Sequence, residues 1–236
     1  MIFNLFNSGN IAESIIQMLY FLICFAITIT VHEVAHGYAA YKLGDPTAKN
    51  MGRLTLNPMK HLDIIGFLMI LFLRFGWAKP VPINPRNFRN PQKGMAISAI
   101  AGPIANFCMA FFGALLMRLT VLAFSNYSIY MDNSGNNFLY NFFIGCYSFF
   151  NLFCMINIRL GVFNLLPIPP LDGSRILSYL LPDNLSYKYA KIERYSFIIL
   201  IVLLYSGILS TPLMWMSNGI ATGINFLLNL IPFLRI

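Results

Sequence analysis

A pair of histidines at the end of a long apolar run constrains this chain more than any other feature. Residues 15–31 are nearly all apolar and lead directly into the motif H-E-V-A-H at residues 32–36. Residues four apart lie on one face of a helix, so the imidazoles of His32 and His36 can reach the same zinc ion. Glu33 follows the first histidine and can act as a general base on a zinc-bound water. Because ionisable groups are costly inside a bilayer, their position at the end of a membrane span indicates a functional site.

The composition indicates that the chain is a membrane protein. Of its 236 residues, 58% are hydrophobic and only 10% are charged, whereas a soluble domain carries about 25% charged residues. The net charge of +8 comes mostly from short loops between apolar runs, which is typical of membrane topology and not of nucleic-acid binding. We therefore expect an all-α polytopic membrane protein with about five to six transmembrane helices.

The apolar runs predict one integral membrane domain over residues 1–236. Its core covers about residues 11–180, and a helical hairpin follows over about 194–234. We expect the first helix to stop at Gly44-Asp45-Pro46. Pro212 should separate the last two runs, which are two spans or one span plus an interfacial helix. The apolar runs are 11–43, 94–124, 138–166, 195–209 and 213–233.

A shorter apolar run and a proline-rich segment lie between the first two core helices. The run over residues 62–73 is about a dozen residues long, which is too short to span a bilayer comfortably, so we expect a re-entrant or interfacial segment there. Residues 77–91 contain prolines at 80, 82, 85 and 91. These prolines exclude a regular helix and favour extended backbone.

The basic residues predict the orientation in the membrane. They lie in three clusters, whereas two other segments contain no Lys or Arg. If residues 62–73 re-enter the membrane, all three clusters fall on one side, which the positive-inside rule favours. We therefore expect an external N-terminus and a motif nearer the cytoplasmic face. The absence of a signal or transit peptide pattern favours a bacterial inner membrane. The clusters are 42–60, 74–93 and 167–194, and the segments without basic residues are 1–10 and 125–137.

A catalytic zinc needs three protein ligands and a water, so the two histidines need one further partner. Position favours Asp172, because it follows an apolar run that is brought to an end by the prolines within residues 167–170. A helix beginning after these prolines would help to keep its carboxylate ionised, and Gly173 would allow close backbone approach. His61 and Asp63 are the next candidates. The other candidates lie in loops and are Asp45, Asp132, Asp183 and Glu193.

The motifs, in this order, resemble the signature of site-2 proteases, the family of zinc intramembrane metalloproteases. That family pairs H-E-x-x-H on one transmembrane helix with N-x-x-P-x-x-x-L-D-G after a later one, and here these are residues 32–36 and 164–173. Residues 102–106, G-P-I-A-N, are similar to the family's G-P-x-x-N on a helix between. The likeness covers about residues 20–180 and is to compact bacterial members, since the chain has no space for the PDZ domain that many members carry.

The resemblance implies a role for each matching position. His32, His36 and Asp172 would bind one Zn²⁺ per chain, and Glu33 would activate the water and later protonate the leaving amine. Asn106 and Asn164 match asparagines of the active-site region. These two asparagines would help to stabilise the oxyanion or to position the substrate. The alternative is that their amides cap the backbone of a broken helix. His61 and Asp63 are candidates for a supporting position around the metal ligands, and the alternative for His61 is an interfacial histidine.

The resemblance also implies an endopeptidase that hydrolyses peptide bonds within or near transmembrane segments. Its partners would be transmembrane protein or peptide substrates in a lipid bilayer, with a regulatory membrane partner or a second copy of the chain. For such an enzyme, the proline-rich segment either offers an edge to which an unwound substrate adds as a strand, or forms a static cap over the site.

Two other functions are weighed against this one. A di-iron membrane oxidase needs many more histidines than the three present. A non-catalytic zinc-binding membrane protein that binds transmembrane partners would have no use for a general base, and Glu33 argues against it.

Overall fold

The computed structural model describes residues 11–63, 65, 66, 69, 76, 78–130 and 137–234. Most of the run predicted to re-enter the membrane, 62–73, lies outside these residues, as do the N-terminal segment 1–10 and Asp132. The described residues form helices and connecting segments, without a strand. The helices are α1 (Ile11–Lys42), α2 (Thr47–Asn50), α3 (Pro91–Tyr130), α4 (Asn137–Asn164), α5 (Asp172–Leu180), α6 (Asp183–Ile192), α7 (Ser196–Tyr205) and α8 (Ser210–Asn229). Short 3₁₀ turns cover Pro58–Lys60, Pro85–Asn87, Glu193–Tyr195 and Pro232–Leu234.

Helix α1 shows two opposite faces. One stripe at four-residue spacing is buried and the other is exposed although it is apolar. A soluble protein would bury the second stripe, whereas in a bilayer the lipid covers it. The helix ends at Lys42, and Gly44 adopts the positive φ of +105° that follows many helix ends, which confirms the predicted stop. The buried stripe is Cys24, Thr28, His32 and His36, and the exposed stripe is Ile15, Leu19, Ile23 and Ile27.

The described residues include three helices that are long and apolar enough to span a membrane. They are α1, the Pro91–Ser125 part of α3 and the Phe138–Asn164 part of α4. The segments Asn184–Tyr205 and Ser210–Asn229 bend by 83° relative to each other and make up to one further span. The predicted all-α polytopic membrane protein is confirmed, with three to four of the five to six expected helices found among the described residues.

The C-terminal break differs in place from the prediction. It lies at Ser206–Leu209, where Gly207 has a φ of +74°. Pro212, predicted to separate the two runs, instead lies in the first turn of α8. Proline is well tolerated there, because the first amides of a helix have no partner within it.

Helix α8 packs back onto the core through apolar and polar contacts. Leu228 and Leu234 pack with Ala110 and Ala114 of α3 and with residues of α4. The buried guanidinium of Arg118 donates from Nη1 to the Leu234 carbonyl at 2.8 Å and to the Asn229 side chain, and from Nη2 to the Asn225 side chain. These contacts give a buried cation its hydrogen-bond acceptors, and they attach the C-terminal segment to α3.

A proline-rich strap, defined as residues 78–84, crosses the end of α1 without regular secondary structure. This agrees with the prediction that the prolines exclude a regular helix over residues 78–84, whereas Pro85 begins a 3₁₀ turn and Pro91 is the first residue of α3. The Lys79 N–H donates to the His61 carbonyl at 2.9 Å, and Arg53 Nη2 donates to the Lys79 carbonyl at 2.8 Å. At the other end, the Asn84 N–H donates to Asp45 Oδ2 at 2.7 Å. The strap is therefore attached at both ends to the segment that follows α1.

Asp45 is the main anchor of the strap. Its fully buried carboxylate accepts hydrogen bonds from the N–H and hydroxyl of Thr47, the Asn84 N–H and the Asn87 amide. Burial opposes ionisation of this carboxyl, but the hydrogen bonds from Thr47, Asn87 and Asn84 hold its pKa below the usual range. Asp45 is thus an ionised structural group and not a free candidate ligand.

We expect Asp45→Ala to lower the free energy of unfolding in detergent by about 2–3 kcal/mol, because it leaves several buried donors without their charged acceptor. Since the folded pKa is depressed, the contribution is fully present above the unfolded carboxyl pKa of about 3.9 and is lost as the pH falls through the lower folded value. Unfolding midpoints across pH measure both effects. Asp63→Ala is the matched control, because among the described residues Asp63 accepts one backbone hydrogen bond, from Gly66. Equal losses in the two variants would contradict the anchoring role.

Candidate metal centre

Two helices, α1 and α5, bring His32, His36 and Asp172 together. Helix α1 supplies both histidines one turn apart, and their Nε2 atoms lie 2.9 Å from each other. Asp172 is the first residue of α5, and its Oδ2 lies 3.3 Å from each of the two Nε2 atoms. Both histidines are buried, and Asp172 is mostly so. The predicted helix after the prolines does begin at Asp172, whose carboxylate therefore lies at a helix N-terminus, where negative charge is favoured.

The other nitrogen of each imidazole is engaged by α3. His36 Nδ1 lies 2.7 Å from the Ser98 carbonyl oxygen, which can only accept, so this nitrogen carries the proton. His32 Nδ1 lies 2.8 Å from Asn106 Oδ1, which likewise accepts. A neutral imidazole protonated at Nδ1 has its lone pair at Nε2. Both lone pairs are thus directed into the group, in the arrangement that metal-binding histidines use.

The three ligand atoms fit a zinc ion. Two imidazole lone pairs and a carboxylate oxygen face one another in a buried space, and Asp172 Oδ2 has no hydrogen-bond donor. Such an arrangement is repulsive unless a cation lies among the atoms. Bonds of 2.0–2.1 Å in tetrahedral geometry separate ligand atoms by about 3.3 Å, and the observed separations are 2.9, 3.3 and 3.3 Å. Asp172 lies at the N-terminus of α5, which favours the ionised carboxylate that a metal ligand requires.

Two glycines make room for this group. A Cβ at Gly102 of α3 would lie 2.5 Å from His36 Nε2 and 2.7 Å from His32 Cε1, so any larger residue would displace the imidazoles. A Cβ at Gly173 would meet the backbone carbonyls of Leu165 and Leu166, which cannot move aside as a side chain would. The close backbone approach that the sequence indicated at Gly173 is therefore present, and it holds α5 against the end of α4.

Glu33 is buried beside the group and is held by the strap. Its Oε2 accepts a hydrogen bond of 2.8 Å from the main-chain N–H of Val81. The other carboxylate oxygen carries no hydrogen bond from the described residues. Glu33 therefore has one oxygen fixed by the protein and one available to a water molecule.

The remaining candidate site residues differ in what they contact. Asn106 binds His32, whereas Asn164 Nδ2 donates to the Leu160 carbonyl one turn earlier in its own helix. His61 is fully buried, and its Nε2 donates to the Thr55 carbonyl. Neither His61 nor Asp63 belongs to the metal group, and among the described residues no other set of His, Cys, Asp or Glu could hold a metal ion in this way. Glu193 pairs with Arg175 at 2.6 Å.

Sequence reasoning missed two contributors, both of them main-chain groups. The Ser98 carbonyl has no side-chain signal that could have identified it. The Val81 amide did have one, because Val81 lies between Pro80 and Pro82 and is therefore the one residue of the three that has an N–H to donate.

Comparison with known proteins is consistent with this geometry. The model of the family described as "Peptidase family M50" matches residues 20–206. The Bacillus subtilis (strain 168) protein named "Putative zinc metalloprotease YwhC" is 42% identical over 202 residues, which cover 86% of this chain and 87% of that protein. The Mycolicibacterium smegmatis protein named "Putative zinc metalloprotease Rip2" is 29% identical over 190 residues, 78% of this chain and 66% of that protein. No solved structure gives a significant match.

We expect Asn106→Ala to weaken zinc binding by about 10-fold to 100-fold, because it removes the acceptor that fixes the His32 tautomer and ring orientation. Competitive titration with a fluorescent chelator measures the affinity. Asn164→Ala is the matched control: it removes a second asparagine amide of the same motif set, whose hydrogen bond stays within α4, and zinc affinity should stay within about 2-fold. Equal affinities in wild type and Asn106→Ala would contradict the proposed support of His32.

Proposed function

The chain belongs to peptidase family M50, and from that premise we propose that it cleaves peptide bonds within or near the transmembrane segments of other membrane proteins. It is a zinc metalloendopeptidase and an integral membrane protein. The observation that carries the intramembrane proposal is the position of the His32, His36 and Asp172 group, which is buried between apolar spanning helices, with Glu33 one residue away.

The proposed roles follow from which atoms are free. His32 and His36 would hold the metal through Nε2, and Asp172 would hold it through Oδ2. When bound, zinc supplies a Lewis acid that polarises a water and the scissile carbonyl. Glu33 takes a proton from the attacking water through its unbonded oxygen and then gives a proton to the leaving amine.

Asn106 is suited to a second role besides holding His32. Its Nδ2 is buried and has no hydrogen-bond partner, so an unused donor lies one side chain away from a metal ligand. We assign to it the binding of a substrate carbonyl or of the developing oxyanion. Asn164 uses its Nδ2 to cap helix backbone, which favours the structural alternative for that residue.

The hydrogen bonds of the strap favour the alternative in which it forms a static cap over the one in which a substrate adds to it as a strand. Pro80 and Pro82 have no N–H, and the N–H groups of Lys79 and Val81 already donate to His61 and Glu33. An approaching strand would find acceptors but few donors along this edge, and prolines generally protect sheet edges in this way. A substrate helix satisfies its own backbone, so the enzyme must unwind it before cleavage.

The contact between His61 and Lys79 supports the proposed orientation of the protein in the membrane. The hydrogen bond between their backbones, at 2.9 Å, joins the two ends of the segment that contains residues 62–73. Lys60 and Lys79, the described basic residues nearest these two ends, therefore lie at the same end of the bundle. By the positive-inside rule this end faces the cytoplasm and the N-terminus faces outward. The bacterial relatives favour a bacterial inner membrane.

The test of this function is cleavage of a single-span model substrate in liposomes. Wild type should cleave it, a chelator should stop cleavage and added zinc should restore it. Glu33→Ala should keep one zinc per chain but lower kcat by about 100-fold or more, because general acid–base catalysis contributes roughly 10²-fold to 10⁴-fold.

Glu13→Ala is the matched control, since it removes another carboxylate from α1 about five turns before the motif and should leave kcat unchanged. Wild-type rates in Glu33→Ala would contradict the mechanism. Cleavage of the same sequence only as a free peptide in water would contradict the intramembrane substrate.

A further inference from the structure

We infer that the main-chain amide of Val81 is the positioning group for the Glu33 carboxylate, and that the Pro80-Val81-Pro82 sequence serves to present this single donor. The inference rests on the proposed function, because it assigns Glu33 the role of general base. It adds a residue outside the metal motifs to the machinery of the same reaction.

The hydrogen bond has the properties that positioning requires. It joins the Val81 N–H to Glu33 Oε2 at 2.8 Å, and both residues are at least nine-tenths buried. A hydrogen bond to an ionised acceptor is stronger than a neutral one, and little water competes for a buried one. With Oε2 held, rotation of the carboxylate is restricted and Oε1 remains for the water.

The local sequence leaves only one donor at this point of the strap. Pro80 and Pro82 have no N–H and fix their own φ angles, and a residue that precedes proline is restricted to extended backbone. Lys79 and Val81 both precede a proline. The chain from 79 to 82 is therefore stiff. Apart from Lys79, Val81 is the only residue of these four that has an N–H to donate.

The anchors of the strap fix the amide relative to α1. Lys79 is bonded on both sides, by its N–H to the His61 carbonyl and by its carbonyl to Arg53. Asn84 is bonded to Asp45, three residues beyond the last residue of α1. Val81 lies between these anchors, so its amide is held in place before any substrate binds, which is the preorganisation that catalysis favours.

Gly37, directly after the second histidine, permits this seating. A Cβ at Gly37 would lie 2.9 Å from Val81 Cγ1 and 2.7 Å from Leu54 Cδ2. The Val81 side chain therefore rests against the motif helix where no side chain projects. The strap is in this account a fixed part of the catalytic centre and not a lid that leaves Glu33 during turnover.

Amide hydrogen exchange tests the contact without any substrate. The Val81 amide should exchange at least about 10-fold faster in Glu33→Ala than in wild type, because it loses its acceptor. In His32→Ala, which removes a proposed zinc ligand and keeps the acceptor, the same amide should stay protected. Equal exchange in wild type and Glu33→Ala, or equal acceleration in both variants, would overturn the inference.

A proline substitution tests the catalytic consequence. Val81→Pro deletes the donor, suits extended backbone and is of similar size, and it should keep one zinc per chain while kcat falls roughly 10-fold to 100-fold, with KM within about 2-fold. Ile83→Pro is the matched control, because the Ile83 N–H donates to no described residue, and it should keep wild-type kcat. Val81→Ala, which keeps the amide and loses only methyl groups, should lose less than Val81→Pro.

Equal kcat values in Val81→Pro and Ile83→Pro would overturn the inference while the proposed function stands. Failure of wild type to cleave any transmembrane substrate would instead overturn the proposed function. In that case the exchange measurement still decides whether the Val81 amide holds Glu33.

Discussion

The hydrogen bonds from the two ring Nδ1 atoms are the interactions on which the rest of the site depends. They fix both imidazoles in the tautomer that directs Nε2 towards Asp172. Without them, either ring could turn its proton inward and the group would no longer be able to bind a cation. Their acceptors, Asn106 and the Ser98 carbonyl, both belong to α3, so the packing of α1 against α3 is also what sets the chemistry of the histidines.

The arrangement of the other elements follows from the need to keep ionisable groups satisfied in an apolar bundle. Asp172 reaches the histidines because only seven residues separate the end of α4 at Asn164 from the start of α5, with Gly173 against the backbone of the turn. Glu33 has the Val81 amide, and the strap that carries this amide is held by Asp45 and Arg53. Glu33 and Asp45 thus each have a partner that a different segment supplies, and this links the loops at one end of the bundle into a single support.

Much of the fold and of the metal site could be predicted from the sequence, because residue types at fixed spacings indicate helices and metal-binding motifs. The helix that carries His32 and His36, its stop near Gly44 and the absence of a helix in the strap all follow from local rules. The third ligand could not be settled in the same way. The choice between Asp172, His61 and Asp63 depends on how distant segments approach one another, and His61 proved to be bonded to Thr55 instead.

Main-chain contributions were the least predictable. No residue type marks the Ser98 carbonyl as the acceptor for His36, and the position of the helix break at Gly207 and not at Pro212 depended on how the first turn of α8 accommodates proline. Asn106 was recognised as an active-site asparagine, but its bond to His32 Nδ1 is a matter of geometry that spacing does not encode.

X-ray absorption at the zinc edge, combined with metal content, tests the central claim most directly. The account predicts one zinc per chain in purified wild type, with two imidazole nitrogens and further oxygen ligands and without sulfur. It also predicts that this signal is lost or altered in Asp172→Ala and unchanged in His61→Ala. A sulfur ligand, or an unchanged zinc environment in Asp172→Ala, would contradict the proposed ligand set and the mechanism built on it.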